Sequence, residues 1–283
     1  MNVESLSNTD MPASESLILS VQDLAISFGS HQVLTGINLQ VPRGQTVAIV
    51  GESGCGKTVL LKTLIRLIEP TSGTVLFDGQ DLSQLDIHEL SRQRTRFGFI
   101  FQQAALFDSM TIGQNVAFPL LQHTQLSEEE IHQRVLNQLA DVGLPDSVLD
   151  KKPAELSGGM RKRVGVARAL MLNPELVLYD EPTTGLDPIV SDVINELILR
   201  SRRRYCVTSI IVTHDMRTAR KVADRVVMLY PTSRLAAGES QIIFDGPPSE
   251  LDRTEDKRVV QFVRGEAGER LMEMRSEASM ADY

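Results

Sequence analysis

The sequence contains only two cysteines, Cys55 and Cys206, among its 283 residues. Two cysteines cannot build a disulfide framework or a multi-cysteine metal site, so we expect a chain that works in the reducing cytosol. No stretch reaches the roughly eighteen consecutive apolar residues that a membrane-spanning helix needs. Residues 1–16 also lack the basic start and apolar centre of a secretory signal. The sequence therefore predicts a chain that reaches a membrane only by docking on a membrane partner.

The sequence also lacks an excess of positive charge. It has 29 Lys and Arg residues against 37 Asp and Glu residues, and 29 − 37 gives a net charge of −8. This balance argues against a surface built to hold nucleic acid, and we expect no nucleic-acid partner. Two local basic clusters remain, Arg161–Arg163 and Arg200–Arg204. The second cluster follows a helical pattern at 189–199, where positive charge complements the carbonyl end of a helix dipole.

The sequence does have the composition of a globular protein, with 42% apolar and 23% charged residues. Its length and pattern predict a flexible leader at 1–16, one large domain at 17–248 and a charged helical extension at 249–283. Short apolar runs broken by turn residues predict strands from the start of the domain to Val50. Asp78 and the glycine after it predict a hairpin turn.

A helical insert is expected at about 103–165 within the domain. Its helix formers recur with a period of 3.6 residues, and Ser127 followed by Glu130 has the signature of a capping box. The extension carries a small apolar patch that includes Val259 and Phe262. The sequence leaves open whether this patch packs back on the domain or on a partner, and exchange of the extension between subunits is one hypothesis.

The strongest local signal is "GESGCGKT", Gly51 to Thr58, which matches Gly-x-x-x-x-Gly-Lys-Thr at every fixed position. It follows a buried-strand run at 46–50 and precedes a helical stretch at 59–68. This is the context that a phosphate-binding loop requires. Small residues let backbone N–H groups converge on a phosphate, while Lys57 supplies a cation and the threonine a hydroxyl for Mg²⁺. The sequence therefore predicts a nucleoside triphosphate site.

Two further apolar runs end in residues that can carry chemistry. "LVLYDEP" puts Asp180 and Glu181 after a buried-strand run, where one carboxylate can hold Mg²⁺ and the other can deprotonate a water. "IIVTHD" puts His214 after another such run, where it contacts a γ-phosphate or serves only the structure. Ligands bind at the carboxyl ends of strands in an open α/β sheet, so we expect these groups beside the phosphate loop. "LSGGM", Leu156 to Met160, is a second anion cradle before a helix.

Taken together, the phosphate loop, "FIFQQ", "LSGGM", "LYDEPTTGLDP" and "VTHD" resemble the ATP-binding cassette family in order and approximate spacing. The resemblance covers about 17–247. It implies an α/β fold of the P-loop nucleoside triphosphatase class, with a mixed sheet core, an N-terminal antiparallel β subdomain and a helical subdomain. It also implies an ATPase that uses ATP and Mg²⁺. In this family two cassettes pair head to tail, and we expect a homodimer here.

The resemblance implies roles for the residues that match the family motifs. Glu181 is implied to be the catalytic base and His214 to contact the γ-phosphate. Gln102 is implied to sense both Mg²⁺ and the transporter. The implied magnesium ligands are Thr58, Asp180 and Gln102.

The resemblance likewise implies the contacts to ATP. Phe28 is implied to stack on adenine, and Asp187 to lie in a loop that crosses between subunits. The serine-glycine corner, Ser157 to Gly159, is implied to close over the ATP held by the phosphate loop of the other subunit. The implied nucleotide-binding residues are Phe28, Gly51, Glu52, Ser53, Gly54, Cys55, Gly56, Lys57, Thr58, Ser157, Gly158, Gly159 and Asp187.

Three stretches resemble the ATPases of Mla/Mce-type lipid transporters more closely: "LFDSMTIGQNVAFPL", "LSGGMRKRVGVARAL" and "DKRVVQFVRGEAG". This resemblance implies a peripheral ATPase on the cytoplasmic side of the inner membrane that powers phospholipid transport between the inner and outer membranes. The implied partners are integral membrane permease subunits, a lipid-binding MCE-type protein and a small accessory subunit. Met160 replaces the glutamine usual in the wider family, and a thioether cannot supply an amide's hydrogen bonds. Our hypothesis is that Met160 packs, while Ser157 and the glycine amides contact phosphate.

Three alternatives are weighed against this interpretation. An ATPase of the same family for another cargo, such as amino acids or metals, is the closest, because the permease selects the cargo. A soluble cassette ATPase acting on DNA or ribosomes is disfavoured by the acidic balance and by the lack of a second cassette. A nucleotide-gated module without turnover is disfavoured by the presence of Asp180, Glu181 and His214.

Overall fold

The computed structural model describes residues 16–267 of the chain. Except for Ser16, the predicted leader lies outside the described residues, as does the predicted extension beyond residue 267. In the described range the chain forms ten strands and eight α-helices. None of these helices combines the length and apolar character that crossing a membrane requires.

The elements alternate along the chain. The strands are β1 (Leu17–Phe28), β2 (His31–Pro42), β3 (Thr46–Gly51), β4 (Ser72–Phe77), β5 (Gln80–Asp81), β6 (Phe97–Ile100), β7 (Leu176–Asp180), β8 (Thr208–Val212), β9 (Arg225–Leu229) and β10 (Ile242–Gly246). The helices are α1 (Lys57–Thr63), α2 (Ile87–Arg94), α3 (Ile112–His123), α4 (Glu128–Asp141), α5 (Gly158–Leu170), α6 (Pro188–Tyr205), α7 (Met216–Val222) and α8 (Lys257–Arg264).

The first sheet is antiparallel, with four strands in the order β2-β1-β4-β5. Apolar side chains of β1, such as Leu24 and Ile26, are buried. Asp78 and Gly79 join β4 to β5 with φ angles of 52° and 78°. Two positive φ angles are typical of a two-residue type I′ hairpin turn. The predicted hairpin and the antiparallel β subdomain implied by the resemblance are confirmed.

The second sheet has six strands in the order β10-β9-β3-β8-β7-β6. Strands β9, β3, β8, β7 and β6 run parallel, and the edge strand β10 is antiparallel to β9. All residues of β3, β7 and β8 are buried, as expected for central strands covered on both faces. The buried-strand runs of the sequence thus form three neighbouring strands of a mixed sheet, which confirms the expected core.

The carboxyl ends of these three strands meet at one edge of the sheet. The N–H of Glu181, after β7, donates to the carbonyl of Val212 in β8 at 2.9 Å. The N–H of Thr213, after β8, donates to the carbonyl of Ile49 in β3 at 3.1 Å. These bonds bring the loops after β7 and β8 beside the glycine loop that follows β3.

Between β6 and β7 the chain forms the helical part of the molecule. Helices α3, α4 and α5 pack on one another, and their apolar side chains form one core with residues of β7, β8 and α6. Ser127 begins α4: its Oγ accepts from the N–H of Glu130 at 3.3 Å, and Glu130 Oε2 accepts from the N–H of Ser127 at 2.9 Å. The predicted capping box is therefore confirmed. Helix α5 continues to Leu170, beyond the predicted end of the insert at 165.

Helix α1 differs from the helix that the sequence pattern predicts. The pattern predicts a helix at 59–68, but α1 spans Lys57–Thr63. The chain then turns, and Arg66 takes a φ angle of 55°. Arg94 of α2 donates to the carbonyls of Ile65 at 3.0 Å and Arg66 at 2.7 Å. The predicted helix end was wrong because the N–H of Leu67 donates back to the carbonyl of Lys62 at 2.9 Å and the N–H of Arg66 to that of Thr63 at 2.9 Å, a Schellman-type turn that closes the helix.

The described part of the extension packs on its own domain. Leu251 and Val259 are fully buried. They share one apolar cluster with Val50 of β3 and Met228 of β9, and Phe262 packs against its edge. For the described residues, this answers the question that the sequence left open: the apolar patch covers the six-stranded sheet.

Candidate functional site

The glycine loop joins β3 to α1 and lines a cavity of about 430 Å³. Gly54 and Gly56 have φ angles of 85° and 95°, in a region that favours glycine. A Cβ atom at Gly56 would also lie 2.7 Å from Leu34 Cδ2. Lys57 Nζ donates to the carbonyls of Gly51 and Glu52, each at 2.8 Å. The loop backbone therefore wraps closely, with the ammonium group held against it.

Thr58 and Asp180 place two oxygen ligands side by side next to the loop. Thr58 Oγ1 donates to Asp180 Oδ1 at 2.8 Å. Burial raises the pKa of the Asp180 carboxyl, while the hydrogen bond from Thr58 lowers it. A hydroxyl beside one carboxylate fits Mg²⁺, which takes few protein ligands when phosphate oxygens and waters complete its shell. Residues 16–267 contain no cluster of three or more His, Cys, Asp and Glu side chains that could hold a metal ion.

Glu181 and His214 form a second polar pair in the cavity. Glu181 Oε2 lies 2.8 Å from His214 Nδ1 and accepts a hydrogen bond from Thr184 Oγ1 at 2.9 Å. Glu181 is 9% exposed. Its φ angle of 49° lies in the left-handed region, which is uncommon for a non-glycine residue and occurs at functional sites. A carboxylate held in this way at the cavity wall can take a proton from a bound water.

The cavity gathers most of the residues that the sequence predicts for nucleotide binding and catalysis. Gly51, Glu52 and Cys55 belong to the same loop, and Asp180 is joined to it through Thr58. The predicted residues that line the cavity directly are Ser53, Gly54, Gly56, Lys57, Thr58, Gln102, Glu181 and His214.

The corner at Ser157 lies outside this cavity. Among the described residues, neither Ser157 nor the two glycines after it line the cavity. Ser157 is exposed at the start of α5, and its Oγ accepts from the N–H of Met160 at 3.3 Å. Met160 packs partly buried against the apolar core of the helical part, which agrees with the packing role in our hypothesis.

Asp187 begins α6 beside this corner. Its Oδ1 accepts from the N–H groups of Ile189 at 2.9 Å and Val190 at 3.0 Å. A Cβ atom at Gly159 would lie 2.5 Å from Val190 Cγ1, so the first turns of α5 and α6 are in direct contact. Ile189 is 78% exposed. The serine-glycine corner and Asp187 therefore share one surface, separate from the cavity in the same chain.

Phe28 stands at the end of β1 and is 52% exposed. In the described range it does not line the cavity of the glycine loop. An exposed ring on the antiparallel sheet remains available to a flat ligand, and adenine stacking at Phe28 stays a prediction.

Two polar residues at the site were not found by sequence reasoning. Gln241 is 1% exposed, and its amide donates to the carbonyls of Val33 at 3.0 Å and Cys55 at 3.2 Å. Its Oε1 accepts from the N–H of Thr35 at 2.9 Å. No local pattern marks Gln241, because its partners are far away in the sequence. Thr184 could have been found, since it lies in the motif that carries Glu181 and has a hydroxyl.

A glycine loop between a parallel strand and a helix, with an acid pair and a histidine at the same sheet edge, defines a nucleoside triphosphatase of the P-loop class. The family model described as "ABC transporter" matches residues 34–184. The chain belongs to the ABC transporter family.

The chain is similar over most of its length to named members of this family. It is 40% identical over 250 residues to the intermembrane phospholipid transport system ATP-binding protein MlaF of Haemophilus influenzae, covering 88% of this chain and 91% of that relative. It is 39% identical over 267 residues to the probable ribonucleotide transport ATP-binding protein mkl of Mycobacterium bovis, covering 93% of this chain and 72% of that relative.

Solved structures show the same architecture. A dimeric post-hydrolysis state of the ATP-binding cassette MJ0796 bound to ADP and Pi has a TM-score of 0.72 at 32% identity, covering 81% of this chain and 98% of that chain. The cbiO1 protein of Clostridium perfringens, part of the cbiONQ transporter complex, has a TM-score of 0.74 at 31% identity, covering 92% and 100%. The chain is an ATP-binding subunit of the family with ATPase activity.

Proposed function

We propose that the chain works as a homodimer that hydrolyses two ATP molecules with Mg²⁺ and so drives phospholipid transport at the inner membrane. The observation that carries this proposal is that the two anion-binding segments, the glycine loop and the serine-glycine corner, lie on different surfaces of the same chain. The glycine loop, Glu181 and His214 share one cavity, whereas Ser157 lies beside Asp187 on a different surface. In two copies arranged head to tail, each serine-glycine corner completes the other copy's site. The dimeric state of the MJ0796 cassette supports this arrangement.

The residues of the cavity carry the hydrolysis. Water attacks the γ-phosphorus of ATP and loses its proton to Glu181, while the bond to the β–γ bridging oxygen breaks and its electron pair leaves with ADP. Lys57 and the loop N–H groups hold the phosphate oxygens, and His214 contacts the γ-phosphate. Thr58, Asp180 and Gln102 would hold Mg²⁺, and the bound ion would neutralise part of the phosphate charge.

ATP acts on the membrane partner through the geometry of the dimer. Each ATP is bound by both subunits in the closed dimer, so ATP has a higher affinity for the closed dimer than for the open one. Hydrolysis removes this difference in affinity between the two states. A groove of about 470 Å³ lies between β6 and the helical part, lined by Phe101, Phe107 and Phe118 among others. Phe101 faces this groove while its neighbour Gln102 lines the nucleotide cavity. The permease subunits dock in the groove, and Gln102 links their position to the state of the nucleotide.

Phospholipid is the cargo that the relatives support. The relatives from Haemophilus influenzae and Escherichia coli are named for intermembrane phospholipid transport, while the mycobacterial ones are named for ribonucleotide transport. The chain then lies on the cytoplasmic face of the inner membrane, bound to permease subunits, a lipid-binding MCE-type protein and a small accessory subunit. To test this, the complex is purified through a tag on this chain, and its proteins and extracted lipids are identified by mass spectrometry. A complex without an MCE-type protein and without enriched phospholipid contradicts the cargo.

The shared site is tested by mixing two inactive variants. Lys57→Ala disables the phosphate loop, and Ser157→Asp keeps a good helix N-cap while placing a negative charge against phosphate. In a head-to-tail dimer of the two variants, both defects fall in one site and the other site is intact. Random pairing should therefore restore up to about a quarter of the parental ATPase rate. If each chain holds a complete site, no mixture has an intact one, and the mixed preparation stays inactive.

A further inference from the structure

Lys162 is a buried cation that the nucleotide cavity does not use. It lies on α5 and is 6% exposed. Its Nζ donates to the carbonyl of Thr184 at 2.6 Å and to the carbonyl of Glu181 at 3.3 Å. Burial lowers the pKa of its ammonium group to about 8, and the negative charge of Glu181 acts in the opposite direction. The group thus stands between the helix that begins at the serine-glycine corner and the loop of the catalytic base.

Packing alone does not account for a lysine at this position. Moving an ammonium group from water to a site with only neutral acceptors is unfavourable, whereas a methionine of similar length would pack without that cost. The basic neighbours of Lys162 bind other parts of the molecule: Arg161 donates to the carbonyl of Leu156, and Arg163 donates to the carbonyl of Gly143. In this basic cluster, Lys162 is the residue that contacts the segment from Glu181 to Thr184.

The two carbonyls that Lys162 binds are the ends of one tight turn. The turn runs from Glu181 to Thr184, and the N–H of Thr184 donates to the carbonyl of Glu181 at 3.3 Å. Thr184 Oγ1 in turn holds the carboxylate of Glu181 at 2.9 Å. Because Glu181 has an uncommon backbone conformation with φ of 49°, the surrounding contacts must hold it in place. Two helices contact this turn: Lys162 of α5 binds both end carbonyls, and Thr218 Oγ1 of α7 lies 3.4 Å from Thr183 Oγ1.

We propose that Lys162 is a positioning residue that ties the helix beginning at Ser157 to the turn that carries Glu181. The base then keeps its place only while this helix is docked against the turn. Lys162 acts through two backbone carbonyls and Thr184, and it does not itself touch the reacting atoms. A misplacement of the base by about 1 Å is enough to lower the rate by up to roughly 10²-fold.

This inference rests on the proposed function of the dimer. It adds a structural connection through which the two ATP sites influence each other. In the head-to-tail pair Ser157 faces the partner's ATP, whereas Glu181 serves the ATP of its own chain. Lys162 lies five residues after Ser157 in α5, little more than one helical turn along the axis. ATP that holds the corner of one chain therefore also steadies the base of that same chain, which prepares both sites together.

The test compares Lys162→Met with Arg163→Met in the full-length chain, within the membrane complex purified through a tag on this chain. Arg163 is the matched control, because it is a basic residue of the same helix that binds a carbonyl away from the catalytic loop. Lys162→Met should lower kcat by about tenfold or more and leave the KM for ATP within about twofold. Arg163→Met should leave both within about twofold of the parent. Lys162→Arg, whose guanidinium can donate to both carbonyls, should restore most of kcat.

A second measurement separates positioning from a general loss of structure. If Lys162 acts through Glu181, Lys162→Met should cause no further loss of rate in a Glu181→Gln background. An additive further loss, or an unchanged kcat for Lys162→Met, overturns the inference. Where Lys162→Met reduces the yield of folded complex, Lys162→Gln replaces it and is judged by the same criteria. A Glu181→Gln variant with the parental kcat would count against the proposed function. A low kcat for Glu181→Gln together with a parental kcat for Lys162→Met counts only against the positioning role of Lys162.

Discussion

Glu181→Gln removes the general base with the least disturbance to the site. Glutamine has nearly the same shape, and its Oε1 can accept the hydrogen bond that Thr184 Oγ1 gives to Glu181 at 2.9 Å. The same oxygen can face His214 Nδ1, which lies 2.8 Å from the carboxylate. The turn and the nucleotide cavity should therefore persist, but an amide cannot take the proton of the attacking water. A general base contributes roughly 10²–10⁴-fold, so the barrier to hydrolysis should rise by about 2.7–5.5 kcal/mol.

Two assays on the purified complex check this prediction. Phosphate release at saturating ATP should fall at least about 10²-fold, while an equilibrium titration should show ATP affinity within about threefold of the parent. Glu196→Gln is the control, because Glu196 is an exposed acid of α6 paired with Lys221 on the surface. A Glu181→Gln variant that releases phosphate within about threefold of the parental rate would show that another group accepts the proton.

Two further predictions concern stability. Val259 is fully buried against the six-stranded sheet, so Val259→Ala should lower the free energy of unfolding in urea by about 1–3 kcal/mol, and a loss below about 0.5 kcal/mol would show that α8 contributes little. Burial lowers the pKa of Lys162 to about 8, against an ordinary value of 10.5, so between these values the unfolded chain binds more protons and stability rises with pH. The parent should therefore gain free energy of unfolding relative to Lys162→Met between about pH 7.5 and pH 9.5, and the absence of a relative gain contradicts the lowered pKa.

Features encoded by neighbouring residues were predicted correctly. The Ser127 capping box and the turn at Asp78 are confirmed because their hydrogen bonds and φ angles depend on residues within the same few positions. The run before the glycine loop was identified as a buried strand because every position in it is apolar or small enough for the centre of a sheet. Periodicity and local chemistry are sufficient for such elements.

Features that depend on distant partners were missed or left open. The docking of α8 depends on apolar residues of β3 and β9. The positions of Ser157 and Asp187 relative to the cavity follow from how the helical part packs on the sheet, which no local pattern encodes. Lys162 looked like one member of a basic cluster, and only its burial and its two carbonyl partners distinguish it from Arg161 and Arg163.

The amide of Gln241 has a consequence for the order in which the ATP site matures. Its three hydrogen bonds reach back to Val33, Thr35 and Cys55, near the other end of the chain. A growing polypeptide leaves the ribosome with its N-terminus first, and a domain folds as a unit. During synthesis the glycine loop is therefore exposed long before the side chain that fastens it has been made. Nascent chains that stop short of Gln241 carry the whole phosphate motif without the hydrogen bonds to the carbonyls of Val33 and Cys55.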